Sequence, residues 1–366
     1  MSRPLLSAAL IVRDEERHLP SCLASLGGRV DEIVVVDTGS IDRSREIARD
    51  FGATLLERAW TGDFAAARNA SIEAANGAWI LYIDADETLV AFDRSTVERE
   101  LADPRCAAHT VAFRPGEGYT RYREHRLFRN RPDLRFRGLI HESLMPALDA
   151  LRAREGLAVG ASAVAIDHHG YGPEATHKPA RDIPLLRARL REDPGHVYCW
   201  AHLGSALLAS DDEAAAEDAW RRGIAAARTA ARRTPVESLP FLRLGRLLLE
   251  RGRDAGDVID EGVRLFPDNH ALGWLAGERL LKSGQCAAAM PYFARLATSD
   301  PDRLDTAGIA YDVSIFGANA YAALGLCAFR LGRFADSAAH YARAEALAPG
   351  DAAIRAKRIF AEARAR

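Results

Sequence analysis

Hydrophobic residues in the first ninety positions come in short runs, each stopped by polar or acidic residues, and the spacing between runs turns helical. Residues 5–12 make one run. Residues 32–36 make a second that ends on Asp37, Thr38, Gly39 and Ser40. Residues 53–57 supply a short third run, and residues 79–83 a fourth, rich in β-branched and aromatic residues and too short for a helix. Between them, residues 15–26 place Leu19, Cys22, Leu23 and Leu26 on one helical face. Residues 40–51, with Ser40 or Asp42 as cap, and residues 64–76 read the same way. Continuous aliphatic runs suit parallel strands buried on both faces, and their alternation with helices predicts a doubly wound α/β domain. The run Trp79-Ile80-Leu81-Tyr82-Ile83 stops at once on Asp84, Asp86 and Glu87. Asp37 and Asp84 thus both end core strands, on the edge where open α/β sheets bind ligands.

The pattern then changes. Residues 110–113 predict a strand, and period-two alternation in residues 122–128 and 134–137 predicts half-buried strands with cationic outer faces. Arg121, Arg123, Arg126, Arg129, Arg131, Arg135 and Arg137 crowd this stretch, interleaved with aromatics. A net charge of −2 offers no excess for nucleic acid, so these arginines are read as structure, with acceptor binding as a further role. Residues 165–171 predict another strand, ending on His168, His169 and Gly170. Residues 171–184, with His177, Lys178 and Arg181, read as a mobile loop able to close on a ligand or as a linker.

After residue 185 the strand signals stop and helical periods recur. Pro267 and Pro301 stand 34 residues apart, the tetratricopeptide period. Trp200-x-x-Leu203-Gly204, Phe241-x-x-Leu244-Gly245 and Tyr321-x-x-Leu324-Gly325 repeat a first-helix signature, and Trp274 with Gly277 stands in for it in another copy. Gly332, Ala338, Tyr341 and Pro349 complete the best copy, with an insertion of about fourteen residues near 302–315. These are read as about four stacked helical hairpins. Such arrays bury a continuous core and present concave surfaces that bind peptides or pair two copies of a chain.

At 366 residues, 48% hydrophobic and 27% charged, the chain is globular and long enough for two domains. Expected boundaries are 1–172 for the α/β domain, 173–190 for a linker or lid, and 191–366 for the repeats. The first apolar run is too short for a signal peptide or a membrane span, and no later window is expected to reach membrane length. Five cysteines (Cys22, Cys106, Cys199, Cys286, Cys327) show no paired spacing, which argues against a disulfide framework or zinc site and for a reducing compartment, the cytoplasm.

Carboxylates at i and i+2 after a core strand can hold a divalent cation that also grips a diphosphate, although such triplets also simply cap turns. Four motifs in order sharpen the choice: residues 11–16 (IVRDEE), 34–44 (VVVDTGSIDRS), 63–69 (DFAAARN) and 82–87 (YIDADE). Together they resemble the nucleotide-sugar half of a family 2, GT-A-fold glycosyltransferase. That resemblance implies that Asp37 contacts the nucleoside, usually uridine, and that Arg68 and Asn69 face the base and phosphates. It also implies Mn²⁺ or Mg²⁺ at Asp84 and Asp86, with His168, from Ile-x-His-x-Gly-Tyr, completing the shell. Ile41 departs from the family's smaller threonine. In residues 136–142 the resemblance implies Glu142 as catalytic base, with His141 orienting it or taking its place. Lys178 and Arg181 would neutralise the leaving group.

Transferase and repeats together resemble bacterial family 2 enzymes of the kind that includes peptide S-glycosyltransferases. The implied activity is metal-dependent, inverting transfer from a nucleotide-sugar, expected to be a UDP-sugar, to a peptide or protein side chain held by the repeats. A glycan or lipid-linked acceptor is the alternative, and a homodimer through the repeats is a further expectation. Two other classes compete. A catalytically degenerate binding scaffold conflicts with the intact motifs. A nucleotidyltransferase would show a Gly-rich, basic loop where this chain has Arg13-Asp14-Glu15-Glu16.

Overall fold

The structure, a computed structural model, describes residues 3–170, 178–230, 233–304 and 308–366. It forms two compact units. The first takes in most of the chain up to residue 194, and the second most of the rest together with Gly118–Thr120.

The first unit runs β1 (Leu6–Val12), α1 (Leu19–Leu26), β2 (Glu32–Asp37), α2 (Ser44–Asp50), β3 (Thr54–Glu57), α3 (Phe64–Ala74), β4 (Trp79–Tyr82) and β5 (Glu87–Ala91). It continues with α4 (Arg94–Leu101), β6 (Cys106–Arg114), β7 (Tyr122–Arg129), α5 (Met145–Glu155), β8 (Ala158–His168) and α6 (Lys178–Glu192). Leu6, Ala8, Leu10 and Val12 pack with Leu19, Cys22, Leu23 and Leu26 of α1. Ala9 turns to the opposite face, with Ala65 and Ile72 of α3. Both faces of β1 are therefore covered, which is why its run is apolar at every position but Ser7 rather than alternating.

The strand order is β3-β2-β1-β4-β7-β6-β8-β5. From β3 to β4 all pairs are parallel, as the alternation of strands and helices predicts. Beyond β4 the sheet is mixed. β7 pairs antiparallel with both β4 and β6, β5 pairs antiparallel with β8, and β6 with β8 is parallel. β6 and β7 follow one another without a crossover helix, so they can meet only antiparallel. Four of the seven pairs are parallel, so the sheet is mostly parallel as expected, and the three antiparallel pairs all lie beyond β4.

Two further expectations are corrected. Residues 134–137 make no strand; they lie in a loop whose only ladder contact is a bridge between Arg137 and Ser143. Residues 178–184 of the expected loop are instead the start of a helix that runs to Glu192, because Leu186 and Leu190 find buried positions on one face. Residues 171–177 of the expected lid lie outside the described residues.

The second unit stacks α7 (Val197–Leu208) on α8 (Glu213–Thr229), α9 (Leu239–Glu250) on α10 (Gly256–Leu265), α11 (His270–Lys282) on α12 (Cys286–Thr298) and α13 (Gly317–Arg330) on α14 (Phe334–Leu347). α15 (Ala352–Ala365) follows. One device recurs in all four hairpins. A β-carbon at Gly204, Gly245, Gly277 or Gly325 would fall 2.3–2.9 Å from Trp220, Ile259, Phe293 or Tyr341 respectively. The signature glycine is the socket for a large residue of the partner helix, so the repeat pattern is a packing pattern. The inserted segment lies between α12 and α13, where Tyr311 and Val313 pair with Thr120 and Gly118.

One window does reach membrane length. Val313–Arg330 has 18 residues and mean hydropathy 1.2, against the expectation of none. It contains α13, whose Ala320, Leu324 and Cys327 are buried in the core of the repeats.

Candidate active site

β2 ends on Asp37, which is 2% exposed. Its Oδ1 accepts the N–H groups of Gly39 and Ser40 at 3.1 and 3.0 Å, closing a turn. Its Oδ2 is buried with no hydrogen-bond partner among the described residues. An unmet buried carboxylate oxygen is costly and marks a position suited to a ligand's hydroxyl or N–H group. The surrounding rim is laced together. Asp14 N–H donates to Ser40 Oγ at 3.0 Å, Glu15 N–H to Ser44 Oγ at 2.8 Å, and Ile41 N–H to Asp14 Oδ1 at 2.7 Å. Ile41 itself is 93% exposed.

β4 ends on the acidic turn. Asp84 N–H donates to Glu87 Oε2 at 2.8 Å and Glu87 N–H to Asp84 O at 3.1 Å. Arg68 reaches the turn from α3, whose start is set by Asp63 accepting from Ala66 N–H at 2.9 Å. Arg68 Nη2 donates to Asp84 Oδ1 at 3.0 Å and Nε to Glu142 Oε1 at 2.7 Å. Its guanidinium is buried over the rings of Tyr82 and Phe136, 4.6 and 5.4 Å from their centroids. Burial works against the charge on Arg68, but Asp84 and Glu142 outweigh it and hold the group above its ordinary pKa. Burial likewise opposes ionisation of Asp84, and Arg68 and Arg126 overcome it, so its pKa is lowered. For Glu87 the balance tips the other way. Burial, aided by the charge of Asp84 and only partly offset by Arg126, pushes its carboxyl up to about 7.

Glu142 sits in a loop fastened to α3. Asn69 Nδ2 donates to Phe136 O at 3.0 Å while its Oδ1 accepts Phe136 N–H at 2.8 Å, and Phe64 N–H donates to Leu139 O at 2.9 Å. Asn69 thus fastens the loop through both ends of its amide. Gly138 and His141 carry φ values of 110° and 50°, and the left-handed turn at His141 brings the chain round to Glu142.

β8 ends on His168, and its pairing with β5 sets His168 opposite Glu87. His168 Nε2 lies 3.1 Å from Asp86 Oδ2, and Nδ1 lies 3.0 Å from Pro115 O. A carbonyl can only accept, so Nδ1 carries a proton; Nε2 donates to Asp86 when the ring is protonated and offers a lone pair when it is neutral. Burial lowers the pKa of His168, but the hydrogen bond to Asp86 more than reverses this and raises it. His169 has Nε2 at 2.8 Å from Thr88 Oγ1, and its backbone N–H donates to Asp86 O at 2.8 Å. A cavity of about 170 Å³ opens here, lined by His18, Ser21, Asp86, Glu87, Thr88 and His169.

A divalent cation fits this donor pair. Adjacent ligands of an octahedral ion at about 2.1 Å are about 3 Å apart, and carboxylate with imidazole suits Mn²⁺. Among the described residues no group of three His, Cys, Asp or Glu side chains is gathered for a metal. Asp84 is turned instead to Arg68. Arg181 pairs with Asp182 at 2.7 Å and lies over Phe64, and Lys178 is the first residue of α6.

Residues 7–149 match the family described as "Glycosyl transferase family 2". This stretch is a family 2 glycosyltransferase domain. The chain is 39% identical over 227 residues to a TPR repeat-containing protein of Synechococcus elongatus, covering 60% of this chain and 56% of that one. It is 27% identical over 232 residues to the SPbeta prophage-derived glycosyltransferase SunS of Bacillus subtilis, covering 60% of this chain and 53% of the relative. The chain thus spans about half the length of the curated relatives it matches. Glucosyl-3-phosphoglycerate synthase from Mycobacterium tuberculosis overlaps 50% of this chain and 78% of its own at TM-score 0.39 and 18% identity, a likeness that carries no argument.

Reading the sequence placed Glu87 in the acidic run and Arg126 in the row of arginines without giving either a role, and did not mark Glu124, which accepts from Arg126 Nε. Nothing in the row of arginines sets Arg126 apart.

Proposed function

We propose that this chain is an inverting glycosyltransferase that moves a sugar from a nucleoside-diphosphate donor, a UDP-sugar, to an acceptor nucleophile on a peptide or protein. The observation that carries the proposal is the bridging of Glu142 and Asp84 by one buried guanidinium, beside the Asp86–His168 pair at the same strand ends. The unpartnered Oδ2 of Asp37 supports a nucleoside seat at the neighbouring strand end.

In this mechanism Asp37 receives a hydroxyl or N–H of the nucleoside and fixes the donor's orientation. Asp86 and His168 would hold Mn²⁺ or Mg²⁺, which when bound would supply Lewis-acid stabilisation of the departing diphosphate. Arg68 pairs with Glu142 and holds its carboxylate in place, its own guanidinium lying over the rings of Tyr82 and Phe136. Glu142 takes the acceptor's proton as the nucleophile attacks the anomeric carbon from the face opposite the diphosphate. The bond to the diphosphate breaks as the new bond forms, and the configuration inverts. The repeats are read as the holder of a peptide segment, with a glycan acceptor as the alternative. Five free, buried cysteines support a reducing compartment.

The test is release of UDP from a panel of UDP-sugars with Mn²⁺, beside the Asp86→Ala protein, with donor binding followed by calorimetry. Slow turnover of one donor, lost in the variant, is expected. Neither turnover nor binding would sink the proposal.

A further inference from the structure

Arg126 does not behave as the other arginines of its stretch do. Arg129 donates to the backbone carbonyls of Cys106 and Asp103, Arg123 donates to Ser162 O, and Arg131 pairs with Asp133 and Glu155 toward solvent. Arg126 is 5% exposed and lies among carboxylates. The register explains why. Across the β6–β7 pair His109 opposes Leu127 and Thr110 opposes His125, so Arg126 is an extra residue in β7 without a partner across the ladder. Such a bulge breaks the alternation of faces and re-aims a side chain. Accordingly Arg126, Leu127 and Phe128 are buried in succession.

The re-aimed guanidinium closes on the acidic turn. Nη1 and Nη2 donate to Glu87 Oε2 and Oε1 at 3.0 and 2.9 Å, and Nε donates to Glu124 Oε2 at 2.6 Å. Nη1 also lies 3.8 Å from Asp84 Oδ2. The plane is sandwiched by Tyr82 and Phe113, 4.4 and 4.9 Å from their ring centroids. Glu87 in turn receives the backbone N–H of Asp84. The chain of contacts runs from the bulge through Arg126 and Glu87 to the backbone that carries Asp84 and Asp86. A planar fork suits two parallel bonds to one carboxylate in a way an ammonium cannot reproduce.

We infer that Arg126 is a positioning residue: through Glu87 it sets the turn that presents Asp86 to a divalent cation bound with the donor diphosphate. The inference rests on the cation reading given under the proposed function. It assigns Arg126 no contact with substrate.

The test is a Mn²⁺ titration of UDP binding, read by calorimetry without any sugar transfer, on the wild-type chain, Arg126→Lys and Glu87→Gln. Arg126→Lys keeps the charge and loses the fork; Glu87→Gln weakens the fork and carries the test should the lysine variant not fold. Loss of a group that orients a metal ligand commonly costs 10- to 100-fold in metal affinity. The expected result is a shift of about 10- to 100-fold to higher Mn²⁺ in Arg126→Lys and a smaller shift in Glu87→Gln, with metal-free UDP binding unchanged. Coincident titrations in all three proteins, below their melting temperatures, overturn the inference alone. A wild-type titration that is flat in Mn²⁺ overturns the cation reading and this inference with it.

Discussion

Arg68 Nε and Glu142 Oε1 are 74 positions apart in the chain and 2.7 Å apart in the fold. The same guanidinium donates to Asp84 at 3.0 Å. One buried cation thus ties the proposed base to the acidic turn, and loss of either carboxylate leaves a charge that the other must balance.

Glu142→Gln follows from that pair. The amide keeps the shape and can still accept from Arg68 Nε, but it cannot take a proton. Transfer is expected to fall by about 10²–10⁴-fold while the melting temperature stays close to that of the wild type. A variant with near-normal kcat would remove Glu142 as the base.

Gly170→Ala probes Asp86 without touching it. A β-carbon at Gly170 would stand 2.0 Å from Asp86 Oδ2 and 2.9 Å from the His168 ring, so the carboxylate must move. Mn²⁺-dependent binding of UDP is expected to drop as it does in Asp86→Ala, with the circular dichroism spectrum retained. Unchanged binding would show that Asp86 works from another position.

Stability of the repeats carries its own pH signature. Arg253 donates to both oxygens of Glu217 at 2.8 and 2.9 Å, and Arg221 adds a further contact. The hydrogen bonds from Arg253 are the main cause that holds the Glu217 carboxyl below its ordinary value, against the opposing effect of burial. A lowered folded-state pKa contributes stability above the unfolded value of about 4.3, and that contribution disappears as pH falls through the folded value. Glu217→Gln should therefore cost about 1 kcal/mol at neutral pH and markedly less near pH 3. Equal losses in denaturant melts at both pH values would contradict the ion-pair account.

Much of the site was legible as residue types in order. Asp37, Arg68, Asp84, Asp86, Glu142 and His168 were all marked by motif, and the strand ends they occupy follow from apolar runs stopped by acids. The unread part was direction. Asn69 is marked equally well by the motif, yet its amide fastens Phe136. Residues 171–184 read as a polar loop because they carry prolines and charges, but residues 178–184 open a helix whose buried face, Leu186 and Leu190, comes only later in the chain.

The sequence by itself determined the four parallel strands, the acids at their ends and the glycine sockets of the repeats. Each of these is a local pattern: a run long enough to bury, a stop, or a small residue at a helical interval. Tertiary structure alone decided the mixed half of the sheet, the meeting of Arg68 with Glu142, and the inward turn of Arg126. Those depend on which strands pair and in what register. A one-residue bulge across β6 and β7 is enough to carry a side chain from solvent to the core, and no local pattern encodes it.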